Sequence, residues 1–276
     1  MSARRRLVVV GNGMGGARLV EDVVARSGGD RFDIVVFGDE PHGNYNRILL
    51  SSVLAGDHDP GDIFLNPVDW YRAHGVTLRA GTRVESVDVA NRRVHAAGGL
   101  VEPYDTLVIA TGSSALIPPI HGVFDSGGRL TPGIFLFRTL DDCRRMLDHA
   151  TTCRSAAVIG GGLLGLEAAK GLAARGLDVH VVHLRPFLME TQLDAEAGAV
   201  LLRQLERMGL HVHIDKATTA VLGGSNVQGL VFKDGSLLEC NMVVIAAGIR
   251  PNVDLAVRAG LTVERGIVVG DDLACP

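Results

Sequence analysis

A glycine pattern near the start of the chain, placed directly after a short apolar segment, constrains the fold more than any other feature. Leu7–Val10 (LVVV) predict a strand that is buried on both faces. Gly11, Gly13 and Gly16 follow at G-x-G-x-x-G spacing, and residues 17–26 predict a helix. In this spacing the first glycine permits a tight turn, the second lets backbone approach a pyrophosphate, and the third lets helix and strand pack closely. Phosphates are expected at the helix N-terminus, where free N–H groups and the helix dipole favour negative charge.

The residues after this helix agree with a dinucleotide site. A second apolar strand is predicted at 34–37, and it leads into Asp39 and Glu40. A carboxylate in this place accepts hydrogen bonds from the hydroxyls of a ribose. Strand, glycine turn, helix, strand and acid therefore stand in the order that a nucleotide-binding βαβ unit requires.

The same unit occurs a second time, about 150 residues further along. A strand predicted at 156–159 precedes Gly160, Gly162 and Gly165, which have the same spacing. A helical segment, LEAAKGLAARG, and a further strand at 179–182 follow. Each half then closes with an apolar strand that runs into a glycine, in LVIATG and in MVVIAAG. The repetition makes two dinucleotide sites much more credible than either copy alone.

These elements predict an α/β protein with two Rossmann-like, doubly wound dinucleotide-binding domains, the second inserted in the first. Pro118-Pro119 and the glycine-rich residues after them mark the clearest boundary. We expect a first domain at 1–118, a second at 119–247, and at 248–276 a return to the first that is apparently truncated.

Composition and charge exclude several other classes. With 47% hydrophobic and 21% charged residues the chain has the balance of a globular protein. A net charge of −4, with no basic run beyond Arg4–Arg6, argues against nucleic acid or a membrane as a partner. The four cysteines form no C-x-x-C motif or metal cluster, which favours a reduced, cytoplasmic protein without a metal site. His211 and His213 are interpreted as a pair on a strand surface.

Several weaker patterns fill the rest of the chain. Residues 63–74 predict a short helix, and residues 139–150 and 193–208 predict longer ones. Small antiparallel strands are predicted at 212–214, 220–222, 230–232 and 237–239.

Two fingerprints, each followed by a strand that ends in ATG or AAG, resemble the flavoproteins of the pyridine nucleotide–disulfide oxidoreductase type. The segments GDEPHGNYNRILL and VVHLRPFLMETQL are similar to the N-terminal flavoprotein part of assimilatory NAD(P)H nitrite reductase large subunits. The resemblance implies that the first half binds FAD and the second binds NAD(P)H. By residue-to-residue correspondence it assigns these positions to FAD: Gly11, Gly13, Gly16, Asp39, Glu40, Arg47, Val84, Ala110, Thr111, Gly112 and Arg138.

In the second half the resemblance assigns Gly160, Gly162, Gly165 and Gly248 to the nicotinamide nucleotide. Glu167 corresponds to a catalytic position near the nicotinamide–flavin contact, or is simply an acid in the first turn of a helix. The strand at 179–182 leads to His183, Leu184 and Arg185 rather than to the acid typical of NAD sites. Arg185 is therefore either a partner for a 2′-phosphate or only a solvated residue.

Three departures from the family pattern limit the comparison. Disulfide reductases carry C-x-x-x-x-C after the position of Arg47, and its absence argues against dithiol chemistry. Ser52 stands where ferredoxin-reductase relatives carry a lysine. The family's later A-x-G-[DE] segment, and the sirohaem and iron–sulfur portions of a nitrite reductase, are not in this sequence, so a fragment or shortened product is expected.

The resemblance thus implies an FAD-dependent NAD(P)H oxidoreductase of nitrite or nitrate assimilation. Its acceptor would be a sirohaem/iron–sulfur domain or a ferredoxin-like protein. Two alternatives stay open: a ferredoxin or rubredoxin reductase, and a non-catalytic nucleotide-binding or redox-sensing fragment.

Overall fold

The computed structural model describes residues 4–26, 28–224 and 226–275 and has the alternating strands and helices of an α/β protein. The helices are α1 Met14–Ala25, α2 Gly28–Arg31, α3 Leu50–Ala55, α4 Val68–Ala73, α5 Leu140–Ala150, α6 Leu163–Ala174, α7 Ala195–Arg207 and α8 Asp254–Arg258. The strands are β1 Arg5–Val10, β2 Phe32–Phe37, β3 Asn44–Tyr45, β4 Phe64–Asn66, β5 Thr77–Arg79, β6 Val84–Asp88, β7 Arg93–Ala96, β8 Leu100–Pro103, β9 Thr106–Ile109, β10 Ser113–Ala115, β11 Ile134–Leu136, β12 Ser155–Ile159, β13 Asp178–Val182, β14 His211–His213, β15 Thr218–Gly223, β16 Val227–Phe232, β17 Leu237–Glu239, β18 Met242–Ile245 and β19 Ile249–Pro251. Within these ranges no helix has the length and apolarity needed to cross a membrane.

The chain divides into two compact units. The first contains the residues up to Asn46, Ile63–Ser114, and the residues from Pro251 onward. The second contains Arg47–Asp62 and Ala115–Arg250. The first unit is therefore built from segments that are distant in sequence.

The first unit is organised around a parallel sheet with the strand order β5-β2-β1-β9. Both faces of β1 are buried, as its unbroken apolar sequence predicts: Val8 and Val10 pack with Phe37 on one side, while Leu7 and Val9 pack with Tyr71 on the other. An antiparallel sheet, β6-β7-β8, and the small pair β3-β4 complete the unit. The strand order changes direction at β1, beside β9, which in open α/β sheets marks the ligand crevice.

The second unit repeats the plan with a five-stranded parallel sheet, β11-β18-β12-β13-β14. A three-stranded antiparallel sheet, β15-β16-β17, adds Leu230 and Phe232 to the buried apolar cluster of this unit. The antiparallel prediction is confirmed for the last three of the four segments and is wrong for 212–214. That segment pairs in parallel with β13, because α7 returns the chain to the same edge of the sheet.

The segment Arg47–Asp62 lies inside the span predicted as the first domain, yet it packs with the second unit. α3 lies on α6, and Leu54 covers Gly171 so closely that a Cβ there would lie 3.0 Å from Leu54 Cγ. The Arg175 guanidinium donates to the carbonyl oxygens of Leu54 and Val53 at 2.8 and 3.1 Å. These are contacts across more than 100 residues, and local pattern carries no information about them.

Two predicted helices have different bounds. The first begins at Met14 rather than at 17, because Gly13 is already the extended N-cap residue and Gly16 lies inside the helix. The helix predicted at 63–74 is reduced to α4, since residues Phe64–Asn66 pair with β3 as a strand. Pro67, with φ −62°, then provides the N-cap of α4.

Candidate functional site

The first glycine turn separates into positions that the fold requires and one that it does not. Gly11 has φ +117°, and a Cβ built on it would lie 2.0 Å from the carbonyl oxygen of Ala110. A Cβ on Gly16 would lie 2.0 Å from the carbonyl oxygen of Gly11. At Gly13, the N-cap of α1, a Cβ would have no protein neighbour within 4 Å. The turn thus needs Gly11 and Gly16 for its own packing, whereas Gly13 keeps backbone accessible at the helix N-terminus.

The second glycine turn has the same design. Gly160 has φ +133°, and its Cβ would lie 2.2 Å from the oxygen of Ala246, while that of Gly165 would lie 2.0 Å from the oxygen of Gly160. Gly162, the N-cap of α6, again has no neighbour within 4 Å of a built Cβ. Both turns therefore fit a phosphate group at a helix N-terminus, where only a glycine leaves room for one.

Asp39 and Glu40 follow β2 at the carboxyl edge of the first sheet. The Glu40 carboxylate accepts a hydrogen bond of 2.6 Å from the hydroxyl of Tyr45. The Asp39 carboxylate is exposed and lies 3.6 Å from the guanidinium of Arg83. Both acids stand at the sheet edge at which β1 enters its glycine turn, as a ribose-binding acid must.

The turn after β9 is held by a residue that the sequence interpretation missed. The hydroxyl of Thr111 donates to the carbonyl oxygen of Asn252 at 2.6 Å, and the Asn252 amide donates to the carbonyl oxygen of Thr111 at 2.8 Å. The backbone N–H of Asn252 also donates to the carbonyl oxygen of Gly112, which has φ +66°. The backbone N–H of Ala110 donates to the carbonyl oxygen of Val10, which continues the pairing of β9 with β1 by one residue. Asn252 belongs to no recognised motif. The only sequence signal for it was its position in the R-P-N segment shortly after the second AAG turn.

A buried tyrosine supports the first glycine turn from beneath. Tyr71 is 1% exposed, and its hydroxyl donates to Oδ1 of Asn12, the residue between Gly11 and Gly13, at 2.6 Å. The Asn44 side-chain amide donates to the backbone carbonyl of Asn12 at 3.1 Å. Burial raises the pKa of Tyr71 to about 12, so the phenol remains a donor throughout the physiological range. Sequence reasoning found Tyr71 only as part of a helix.

We expect Tyr71→Phe to lower the free energy of unfolding by about 1–3 kcal/mol, because it leaves the Asn12 oxygen without its donor. Urea denaturation of the parent and the variant measures this. Tyr104→Phe is the matched control, since the pKa of the half-buried Tyr104 is raised by burial but its hydroxyl has no hydrogen bond within the described chain. Equal losses in the two variants would contradict a specific role for the Tyr71–Asn12 contact.

The remaining residues predicted for the first cofactor lie as follows. Val84, the first residue of β6, packs into the apolar cluster around Phe37. Arg47 and Arg138 are brought together in the second unit, where the Arg47 guanidinium donates to the carbonyl oxygen of Arg138 at 2.7 Å. The role of these three residues at a cofactor stays a prediction.

A cavity of about 500 Å³ opens at the carboxyl edge of the second sheet, between the ends of β12, β13 and β18. Among its lining residues are Gly160, Gly162, Arg185 and Gly248, four of the positions predicted for the nicotinamide nucleotide. Gly165 lies beneath the turn as a buried packing residue. Arg185 is exposed, and its guanidinium has no hydrogen-bond or ion-pair partner in the described part of the chain. This edge, where strand order changes direction, is where α/β sheets bind ligands.

Two further residues of this cavity were not predicted. His183 is 6% exposed, and its Nδ1 accepts a hydrogen bond of 3.0 Å from the backbone N–H of Gly161. Its Nε2 lies 3.1 Å from Oε2 of Glu190. A Cβ on Gly161 would lie 2.7 Å from Cγ of His183, so Gly161 is the third glycine of this turn, after Gly160 and Gly165, at which an added Cβ would clash. The available sequence signal was a histidine directly after a strand, at the position where NAD sites typically carry an acid.

Glu167 occupies the fifth residue of α6 and is half-buried. It is not a first-turn acid, because that turn, which follows Gly162, contains no acidic residue. This interpretation of Glu167 was wrong, since the helix begins at Leu163. Glu167 is not among the lining residues of the cavity, and its catalytic assignment stays a prediction.

His211 and His213 form part of a larger cluster at the sheet edge. His213 Nε2 lies 3.0 Å from Nδ1 of His180, and the His180 and His211 rings stack with centroids 4.7 Å apart. His211 Nε2 also lies 3.0 Å from a carboxylate oxygen of Asp178. Burial lowers the pKa of His180 and His213. In the described ranges no group of three or more His, Cys, Asp or Glu side chains is arranged to hold a metal ion.

The four cysteines, all within the described residues, form no disulfide. Burial raises the pKa of Cys143 and Cys240 to about 11, so both stay thiols near neutral pH. A thiol is a poor nucleophile, which leaves these two residues unsuited to dithiol exchange.

Comparison with known proteins agrees with this geometry. The chain is 47% identical to the nitrite reductase [NAD(P)H] of Bacillus subtilis and 45% identical to its assimilatory nitrate reductase electron transfer subunit, in each case over 97% of this chain. It spans only about a third of the length of these relatives, 32% and 34%. A ferredoxin reductase from Rhodopseudomonas palustris superposes over 99% of this chain and 66% of that one, with a TM-score of 0.89 and 29% identity. The family model described as pyridine nucleotide-disulphide oxidoreductase matches residues 5–275. The predicted fold and family are confirmed: the chain belongs to the pyridine nucleotide-disulphide oxidoreductase family.

Proposed function

We propose that this chain is an FAD- and NAD(P)H-dependent electron-transfer module of a nitrite- or nitrate-assimilating reductase. The observation that carries the proposal is the pair of glycine turns in which Gly13 and Gly162, the N-cap residues of α1 and α6, leave open space at the helix N-terminus. Two such turns, in two separate parallel sheets, suit two dinucleotides. Identities of 47% and 45% to nitrite and nitrate reductase components support the choice of pathway.

In this proposal the first unit holds FAD. Gly13 admits the pyrophosphate to the N-terminus of α1, and Asp39 and Glu40 accept from the adenosine ribose. Tyr71 stabilises the glycine turn through its hydrogen bond to Asn12. Asn252, 141 positions later in the sequence, stabilises the turn at Thr111 in the same way. The protein's task here is binding and orientation, because the redox chemistry belongs to the cofactor.

The second unit holds the nicotinamide nucleotide in the cavity beside Gly160 and Gly162. Its pyrophosphate is received at the N-terminus of α6, and Gly248 lines the same cavity. Exposed Leu163, Leu184 and Ile249 offer apolar contacts to the flat rings of the ligand. When bound, the two cofactors would supply the redox chemistry, which is two-electron transfer from NAD(P)H and one-electron transfer from the flavin to an acceptor, while the residues named here bind and orient them.

The acceptor is proposed to be a sirohaem/iron–sulfur domain or partner protein, and the free cysteines favour a cytoplasmic setting. A second candidate, a reductase for a separate ferredoxin-like protein, is favoured by the 0.89 TM-score with a ferredoxin reductase. Steady oxidation of NADH by this chain, with a separate ferredoxin-like iron–sulfur protein as the electron acceptor, would support this second candidate.

The absorption spectrum of the purified chain tests the proposal directly. We expect a flavin spectrum at close to one FAD per chain, and NAD(P)H oxidation when an artificial dye acceptor is present. A chain that binds neither flavin nor nucleotide would contradict the proposal. Flavin binding without NAD(P)H oxidation would instead indicate a binding or sensing protein.

Arg185 is expected to favour NADPH through its charge. The guanidinium is exposed at the cavity without a partner, and a 2′-phosphate would give it a charge-assisted hydrogen bond. Arg185→Ala should therefore lower kcat/KM for NADPH about tenfold more than for NADH. Steady-state kinetics with both nucleotides and a dye acceptor measures the ratio.

Arg203→Ala, at an exposed position of α7 away from the cavity, is the control for general loss of charge. We expect the parent to accept both nucleotides with at most a weak preference. An unchanged ratio in Arg185→Ala, or a parent that discriminates against NADPH by more than about a hundredfold (~2.7 kcal/mol), would show that Arg185 is only a solvated residue.

A further inference from the structure

The strand that enters the nucleotide cavity ends without an acid. In NAD-binding folds a carboxylate directly after this strand accepts from the ribose hydroxyls. Here β13 ends at Val182, and the next residue, His183, is turned into the protein with 6% of its surface exposed. If the ribose is recognised by a carboxylate in this chain, that carboxylate comes from elsewhere.

The two ring nitrogens of His183 make different hydrogen bonds, one as an acceptor and the other as a donor. Nδ1 accepts the N–H of Gly161 at 3.0 Å, so it carries no proton. The proton of the neutral ring is therefore on Nε2, which donates to Oε2 of Glu190 at 3.1 Å. One imidazole thus joins the glycine turn to a carboxylate seven residues further along the chain.

Glu190 is available to a ligand in this arrangement. Its side chain is 34% exposed and lines the cavity together with His183. Only Oε2 is engaged by the imidazole, and a carboxylate has further lone pairs for hydroxyl donors. The other charged groups of the cavity are Arg185 and Lys216, and Lys216 is already bound to Asp234 and Ser236 at 2.5 and 3.0 Å.

We propose that Glu190, oriented by the Nε2–H of His183, accepts hydrogen bonds from the ribose hydroxyls of the bound nucleotide in place of the missing strand-end acid. His183 is the positioning residue, and it fixes the carboxylate and the Gly161 turn in one geometry. The inference rests on the proposed nucleotide site. Since Glu190 repels a 2′-phosphate and Arg185 attracts one, the two side chains together predict a site that takes NADH and NADPH with little preference.

Titration calorimetry with ADP-ribose and 2′-phospho-ADP-ribose tests the role of Glu190 without any redox reaction. For Glu190→Gln we expect ADP-ribose to bind about tenfold more weakly and 2′-phospho-ADP-ribose to bind no more weakly than to the parent. Glu239→Gln removes the same charge from an exposed strand position outside the cavity and should change neither affinity. A Glu190→Gln variant with the parent's affinities would overturn the inference alone. A parent that binds neither probe would overturn the proposed nucleotide site, and this inference with it.

Two substitutions of His183 separate its contacts. His183→Asn keeps an acceptor near Gly161 and loses the donor to Glu190, so we expect weaker ADP-ribose binding and no further loss when Glu190→Gln is added. His183→Gln keeps a donor toward Glu190 and loses the acceptor, so we expect lower stability with the parent's preference between the two probes. Parent-like ADP-ribose affinity in His183→Asn would contradict the positioning role.

The nitrogen NMR spectrum of the parent gives a readout that does not require a folded variant. We expect the His183 ring to be protonated at Nε2 and unprotonated at Nδ1. The opposite tautomer would remove the donor on which the orientation of Glu190 depends, and would overturn the inference.

Discussion

Replacing Gly13 with valine is expected to abolish flavin binding while the chain stays folded. Gly13 is the N-cap of α1 with φ −75° and ψ −174°, an extended conformation that valine adopts without strain. A Cβ there would meet no protein atom within 4 Å, so the fold itself tolerates the change. The branched side chain would instead fill the space that a pyrophosphate needs. The flavin-to-protein absorbance ratio of the purified variant, together with its circular dichroism spectrum, measures both effects.

The matched control is Gly162→Val in the second unit, where the N-cap has φ −84° and ψ 176° and equally open surroundings. This variant should keep the parent's flavin content and lose affinity for the nicotinamide nucleotide. A Gly13→Val protein that copurifies with flavin at the parent's ratio would sink the assignment of the first turn. Loss of flavin from both variants would point to a general defect rather than to two separate sites.

The second large effect is expected from Gly16→Ala, which should destabilise the first unit by about 3 kcal/mol or more. The added Cβ would lie 2.0 Å from the carbonyl oxygen of Gly11 and 3.4 Å from Cβ of Ala110. The closer neighbour is backbone in a turn with φ +117°, so it cannot move aside without opening the turn. Urea denaturation followed by circular dichroism gives the free energy of unfolding.

Gly15→Ala is the control, since it makes the same chemical change at the adjacent position of the same helix. A Cβ on Gly15 would meet nothing within 4 Å, and alanine favours a helix over glycine by up to about 1 kcal/mol. Gly15→Ala should therefore be neutral or slightly stabilising. Similar unfolding curves for the two variants would contradict the close packing of α1 on the turn.

The sequence by itself determined the plan of both nucleotide-binding units. Each plan is local: an apolar strand, glycines at fixed spacing, a helix, and a second strand follow one another within about 30 residues. The close packing of strand, turn and helix that excludes a Cβ acts over the same short range. This is why Gly11, Gly16 and their counterparts in the second unit could be placed in the glycine turns without a structure. The pattern of each half also pointed to the correct family.

Only the tertiary structure decided which distant residues serve each turn. Asn252 reaches Thr111 across 141 positions, and Tyr71 reaches Asn12 across 59. Strand 211–213 joined a parallel sheet rather than an antiparallel one, because its partner β13 lies about 30 residues earlier. In isolation these side chains have no periodicity or motif that would distinguish them.

The cavity of the second unit illustrates the physical reason. The sequence shows that no acid follows β13 and that a cation stands at Arg185, since both are properties of consecutive residues. It did not mark His183 and Glu190 as a pair, because their contact depends on the turn that folds residues 183–190 back over Gly161. Hydrogen bonds of this kind are selected by three-dimensional packing and by the need to satisfy a buried polar group, which local sequence pattern does not encode.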